Sequence, residues 1–146
     1  MQLSTRPLGR KEKELFEYHA WLTVQYSAGD ETGSQNRDAF RAAEELCEPL
    51  RSGSGLVDVR RVNGEGQVHL GGFLNRRTGQ GQEVIDTFAR IGRVAAGSYG
   101  VLYFRDDEDS TGYANAFQIL VMRRGMVSSI RDEGLSPCIP AIEDES

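Results

Sequence analysis

The sequence predicts an α+β domain: an antiparallel sheet of about six strands with two helices on one face, in the order β-α-β-β-α-β-β-β. Three patterns support this prediction. Alternating apolar and polar side chains indicate strands, two segments with apolar residues at helical spacing indicate amphipathic helices, and short turn signals join neighbouring strands. We expect residues 15–146 to form this domain, and residues 1–14, which have almost no apolar periodicity, to form a flexible leader or an expression remnant.

The first strand is predicted from the strict alternation between Phe16 and Tyr26. One face of this strand is apolar and fits a core. On its other face, His19 and Trp21 stand side by side. Two interpretations are open: these side chains are exposed anchors for a partner, or the C-terminal tail covers Trp21, because large aromatic rings are usually buried.

The two helices follow from apolar stripes between Ala39 and Leu50 and between Gln82 and Ala96. Two strands, Leu56 to Val62 and Gln67 to Asn75, lie between the helices and are joined by a turn that contains an Asn-Gly pair. Because two glycines are adjacent in the second of these strands, at Gly71-Gly72, we expect a β-bulge there.

The segment from Tyr99 to Phe104 has apolar side chains on both faces, which predicts a central strand whose tyrosines belong to the core. A strand from Asn115 to Arg124 and a short edge strand from Met126 to Ile130 follow. Two prolines bracket Cys138, so we expect an extended tail that contacts the body of the domain through Ile139 and Ile142.

The composition of the chain excludes some classes of protein. The apolar runs are too short for a membrane span or a secretory signal, which predicts a soluble, cytoplasmic protein. The two cysteines have neither CxxC spacing nor a dense framework, so we expect reduced thiols.

The net charge is −5, and residues 101–146 supply all of the excess, with 9 acidic and 4 basic side chains. This asymmetry disfavours nucleic acid and favours a basic partner.

Four consecutive acids, Asp106, Asp107, Glu108 and Asp109, follow the central strand. They do not have the spacing of an EF-hand, and no catalytic motif accompanies them, so we expect neither a cofactor, nor a metal site, nor catalytic residues. An enzyme or a small-ligand or metal-binding regulatory module that uses this acidic loop stays open as an alternative. A phosphate site near Arg76 and Arg77, at the start of the second helix, has only weak support from its glycines.

Three blocks of sequence carry a family likeness: FEYHAW from residue 16, GSYGVLYFRDDED from residue 97, and LSPCIP from residue 135 with IED at 142–144. In this order they resemble the immunity protein 7 family of bacterial polymorphic-toxin systems, over about residues 15–144. The resemblance implies a small cytoplasmic α+β protein that binds the C-terminal domain of a cognate toxin, neutralises it and has no activity of its own. We expect the free protein to be a monomer.

The charge pattern adds a hypothesis about the contact surface. The carboxylates of the acidic loop and tail would meet a basic cleft on the toxin and occlude its active site. Trp21 and His19 would add anchors if they are exposed. Alternatively, the acids shape the fold by pairing with nearby arginines, and the loops Ala28 to Gln35 or Arg76 to Gln82 touch the toxin. The residues in this hypothesis are Asp106, Asp107, Glu108, Asp109, Glu143, Asp144, Trp21 and His19.

Overall fold

A computed structural model describes residues 14–29 and 33–145. Most of the predicted leader and part of the loop from Ala28 to Gln35 lie outside these residues. The described chain forms one six-stranded antiparallel sheet in the order β2-β3-β1-β4-β5-β6, which confirms the predicted fold class. The strands are β1 (Phe16–Val24), β2 (Leu56–Val62), β3 (Glu65–Leu74), β4 (Tyr99–Asp106), β5 (Phe117–Arg123) and β6 (Met126–Arg131).

Two helices, α1 (Gly33–Cys47) and α2 (Gln82–Val94), pack on the same face of the sheet. A short 3₁₀ turn (Glu48–Ser52) extends α1. The apolar stripes of the helices meet the apolar faces of β1, β3 and β4 in one core, because this arrangement removes both stripes from water. Within the described residues, no helix combines the length and the apolar character that crossing a membrane requires.

The strands β1 and β4 lie at the centre of the sheet, as the sequence predicts for the segment from Tyr99 to Phe104. The predicted hairpin between β2 and β3 is present, and Asn63 and Gly64 occupy its turn with positive φ angles of 53° and 88°. Positive φ at both central residues matches the right-handed twist of paired strands. The turn between β5 and β6 has the same form at Arg124 and Gly125.

The predicted bulge at Gly71-Gly72 is wrong, because both glycines pair in continuous register with β1. The physical reason for a glycine at position 72 is the neighbouring side chain. A Cβ on Gly72 would lie 2.7 Å from the hydroxyl oxygen of Tyr18, so the ring of Tyr18 needs the space that glycine leaves.

The sheet face opposite the helices is not part of the main core. Residues that are paired directly across strands share a face, so one row of this face crosses all six strands. Its members are Leu56, Gly71, His19, Tyr103, Ile119 and Ile130. We call this side of the sheet the open face; Trp21, Phe73 and Tyr99 also lie on it.

The C-terminal tail (residues 132–145) lies against one end of the open face. It is not extended throughout, as predicted, but forms a short helical turn (Cys138–Ala141). The backbone carbonyl of Cys138 accepts hydrogen bonds from the N–H groups of Ile142 and Glu143, which closes the turn. Cys138 is fully buried, Ile139 is partly buried and Ile142 is 47% exposed, so Cys138 is the buried anchor of the tail.

Candidate functional site

The acidic loop begins where β4 ends, and its first member is not at the surface. Asp106 is the last residue of β4, points to the helix-covered face and is buried. Its Oδ1 accepts a hydrogen bond from the backbone N–H of Glu108 at 3.0 Å. The carboxylate therefore turns the chain out of the strand.

Asp107 ties the loop to the start of β1. The backbone N–H of Leu15 donates to Oδ1 of Asp107 at 2.9 Å, and the backbone N–H of Asp107 donates to the carbonyl of Leu15 at 3.2 Å. These two bonds extend the pairing of β1 and β4 by one residue beyond the strand ends. Asp107 thus holds the acidic loop against the first strand.

Asp109 organises the rest of the loop. Its carboxylate accepts hydrogen bonds from the N–H and hydroxyl groups of Thr111 and from the N–H of Tyr113, at 2.8 to 3.1 Å. Desolvation opposes the charged form, but these hydrogen bonds outweigh it and lower the pKa of Asp109. The side chain is therefore an ionised structural element of the loop.

Glu108 is the exposed acid of the four. Partial desolvation raises its pKa, and the nearby carboxylate of Glu14 raises it further. Glu14 in turn accepts two hydrogen bonds from Arg76 at 2.9 Å, and these bonds lower the pKa of Glu14. Glu108 thus lies beside an ion pair in which Glu14 already compensates the charge of Arg76.

The tail brings further acids to the same end of the sheet. The guanidinium of Arg105 donates to both carboxylate oxygens of Glu143, at 2.8 and 3.1 Å. Desolvation alone would lower the pKa of Arg105, but the hydrogen bonds and charge of Glu143 reverse this effect and raise it. Asp144, the next residue, is exposed. We call this region, formed by Asp106 to Asp109 with Glu143 and Asp144, the acidic end.

Trp21 and His19 do not join the acidic end; they lie in the middle of the open face. Trp21 is 41% exposed, so the interpretation in which the tail covers it is wrong. Its ring meets Tyr99 edge to face, with a centroid distance of 6.1 Å. The imidazole of His19 lies 2.6 Å from Glu17 and makes an edge contact with Phe73.

Sequence reasoning missed part of this surface. The sequence predicts Tyr99 in the core, but 44% of it is exposed, because β4 turns its second face away from the helices. Phe73 is 64% exposed. The available signal was the alternation itself: every second residue of β3 and β4 must face away from the helices.

A cleft of about 470 Å³ lies beside the acidic loop and contains the arginines of the weak phosphate prediction. Asp106 and Glu108 line the same cleft as Arg76 and Arg77, and Arg76 is bound by Glu14. The negative carboxylates at these positions repel an anion such as phosphate. Among the described residues, no group of three or more His, Cys, Asp or Glu side chains is placed to hold a metal ion.

Comparison with models of known protein families gives a match. The model of a protein family described as Immunity protein 7 matches residues 15–144, nearly the whole chain. No curated protein and no solved structure matches.

Proposed function

Because the chain belongs to the immunity protein 7 family, we propose that it binds and neutralises the toxin domain of a bacterial polymorphic-toxin system. The family indicates a toxin partner that is itself a protein. The chain protects the cytoplasm of the producing cell by binding, without catalysis and without a cofactor. Family membership over residues 15–144 is the observation that carries this proposal.

The mechanism we propose is occlusion, in which the acidic end covers a basic substrate cleft of the toxin. The charge asymmetry of the chain supports this step, since residues 101–146 hold 9 acidic and only 4 basic side chains. The ion pair of Arg105 and Glu143 keeps tail and loop at one end of the sheet. Opposite charge then raises the association rate, which self-protection requires.

The acids would have different roles in this mechanism. Asp106, Asp107 and Asp109 use their carboxylates to shape the loop. Glu108 and Asp144 are exposed and can face a partner. Because exposed carboxylates set long-range attraction, Glu108 and Asp144 would steer the toxin, and the other three would keep the loop in the conformation that presents Glu108.

The first experiment tests the function itself. The C-terminal domain encoded by the reading frame beside this gene is expressed in a sensitive host with and without the chain. We expect growth to be restored by the chain and a complex to be purified from the cells. If the chain neither restores growth nor binds this domain, the immunity function is wrong for this pair.

The second experiment tests the acidic end. The double variant Glu108→Lys and Asp144→Lys should associate at least about tenfold more slowly at low salt and show a weaker salt dependence of the rate. A matched control, Asp38→Lys and Glu45→Lys, makes the same change of charge at two exposed positions of α1, on the other side of the sheet. If both double variants slow association equally, only net charge matters, and occlusion by the acidic end is wrong.

A further inference from the structure

The open face presents large apolar side chains to solvent over the part that the tail leaves uncovered; Phe117 and Ile119, on the same face, are each only 4% exposed. Leu56 lies at one edge and Ile130 at the other, both at least half exposed. Between them stand the exposed aromatic rings of Phe73, Trp21 and Tyr99. An antiparallel sheet with one solvated face normally alternates apolar inward and polar outward side chains. This sheet departs from that rule at these five positions, whereas Glu17, Asp58, Arg60 and Gln67 on the same face are polar.

The exposed rings are held in place by one another. Trp21 and Tyr99 meet edge to face, with an interplanar angle of 88°, and His19 meets Phe73 at 85°. They stand on the central strands and on a neighbour, whose inner faces are buried in the core. A rigid aromatic patch loses little conformational entropy when a partner covers it, which favours binding.

We propose that the open face, centred on Trp21 and Tyr99, is the docking surface for the toxin domain; this inference rests on the proposed immunity function. Contiguous exposed apolar surface of this kind marks protein contacts, and aromatic residues dominate their binding energy. The acidic end is then the rim of the interface, and the aromatic patch is its centre.

The size of the patch indicates what the toxin must present. Six strands spaced about 4.8 Å apart give a whole face about 24 Å wide and about 20 Å long, or about 500 Å², and the exposed patch is smaller because the tail covers one end of that face. A stable interface buries about 800 Å² on each partner. The contact therefore extends past the apolar patch to the rim.

The rim differs in charge at its two ends. The tail places Asp144 and Glu145 at the end where β4 finishes, whereas Arg123 lies at the end where β4 begins. A complementary toxin surface has an apolar ridge at its centre and Lys or Arg side chains on the side that meets the tail. Such a charge gradient fixes the orientation of the bound partner.

The chain contains one tryptophan, which provides a direct probe. Fluorotryptophan incorporated into the full chain gives a single resonance from the centre of the proposed surface. The probe partner is the unlabelled C-terminal domain from the neighbouring reading frame. We expect one equivalent of this domain to shift the resonance and to remove its sensitivity to a soluble paramagnetic relaxation agent.

Two variants give an independent measurement. Trp21→Ala should weaken binding of the same domain by about 30-fold or more, as truncation of a central aromatic does. Tyr99→Ala should weaken it as well. The control is Tyr26→Ala, because Tyr26 is 45% exposed, nearly the same as Tyr99, but lies beyond β1 outside the open face. Thermal unfolding of each variant separates loss of contact from loss of fold.

The outcomes are distinct. If the wild-type chain binds and neutralises the domain while the resonance and the affinity of Trp21→Ala stay unchanged, the docking surface is wrong and the immunity function stands. If the wild-type chain does not bind the domain, both proposals fail for this pair. If the resonance shifts with the concentration of the chain alone and sedimentation shows a dimer, a second copy occupies the open face and the inference is overturned.

Discussion

Arg105 and Glu143 form a bidentate ion pair that fastens the C-terminal tail to the open face of the sheet. Arg105 is only 2% exposed, and its Nε has no hydrogen-bond partner among the described residues. A guanidinium that is removed from water is costly unless a counter-charge compensates it. Glu143 supplies that charge through two hydrogen bonds, and Glu17, paired with Arg105 across β1 and β4, adds to it, so the tail is part of the folded domain.

We expect Glu143→Gln to lower the free energy of unfolding by about 1–3 kcal/mol, because it leaves the buried guanidinium without its counter-charge. The expected loss is below that of a fully buried pair, since the side chain of Glu143 is 31% exposed. Denaturant titration measures it. Asp144→Asn removes a charge from the next position and should change stability by less than about 0.5 kcal/mol. Equal effects of the two variants would contradict a specific role for the pair.

Cys138 lies in the tail and Cys47 lies in the core, so the reactivity of each thiol measures the exposure of one of these regions. Burial raises the pKa of Cys47 to about 11 and also raises that of Cys138, so neither thiol forms the reactive thiolate readily. We expect both to resist iodoacetamide in the native protein. In Glu143→Gln, Cys138 should react faster while Cys47 stays protected, as mass spectrometry can show. A parallel increase at both sites would indicate global unfolding instead of tail release.

The fold could be predicted because local patterns and tertiary packing agree. Alternation in β1, the apolar run of β4, the stripe of α2 and the Asn63-Gly64 turn each predict one element, and the structure contains all four. The bulge at Gly71-Gly72 was wrong because a glycine pair also fits a flat strand that makes room for the ring of Tyr18. Sequence alone does not show which neighbour a glycine accommodates.

The site was less predictable, since it depends on contacts between distant segments. The sequence indicated an acidic loop, but not that Asp106 is buried or that Asp109 accepts three hydrogen-bond donors within the loop. Exposure of Trp21 depended on where the tail lies, and the tail follows Arg105 toward one end of the sheet. Long-range pairing of this kind leaves no periodic signal in the sequence.

Gly92 tests the packing of α2 against the turn between β5 and β6. A Cβ at this position would overlap the backbone carbonyl of Gly125, whose N–H donates to the carbonyl of Ser98 at 2.8 Å and thereby holds the turn in place. Alanine normally stabilises a helix by about 1 kcal/mol relative to glycine. We expect Gly92→Ala to destabilise the protein instead, by about 2 kcal/mol or more, as measured by denaturant titration.

Gly71→Ala is the matched control for that substitution. Its Cβ would meet no atom closer than 3.7 Å, and it lies on the open face. Stability should stay within about 0.5 kcal/mol of the wild type. If Gly92→Ala were stabilising, the close approach of α2 to the turn would be wrong.

The lowered pKa of Asp132 predicts that the stability of the protein depends on pH. Desolvation alone would raise its pKa, but hydrogen bonds from the Ser136 hydroxyl and from the backbone N–H groups of Gly134 and Leu135 lower it below the usual value of an aspartate. The folded state therefore binds this proton less tightly than the unfolded state. The stabilisation is fully present above the unfolded pKa and is lost as pH falls through the folded pKa, so we expect it to decline below about pH 4.

Asp132→Asn should be less stable than the wild type at neutral pH and should lose less stability on acidification, because the titrating group is gone. Thermal unfolding between about pH 7 and about pH 3 measures both effects. Asp144→Asn serves as the control and should follow the wild-type curve. Identical acid sensitivity of the wild type and Asp132→Asn would mean that other carboxylates carry the effect.

Neighbouring acids in the loop allow shape and charge to be separated. Glu108→Gln and Asp109→Asn each remove one negative charge, but Glu108 is exposed and Asp109 accepts hydrogen bonds from Thr111 and Tyr113. We expect Asp109→Asn to lower the free energy of unfolding by about 1 kcal/mol, since an amide replaces those acceptors only in part. Glu108→Gln should leave stability unchanged and slow association with the toxin domain at low salt. Stopped-flow association and denaturant titration, run on both variants, distinguish the roles, and a stability loss confined to Glu108→Gln would reverse the assignment.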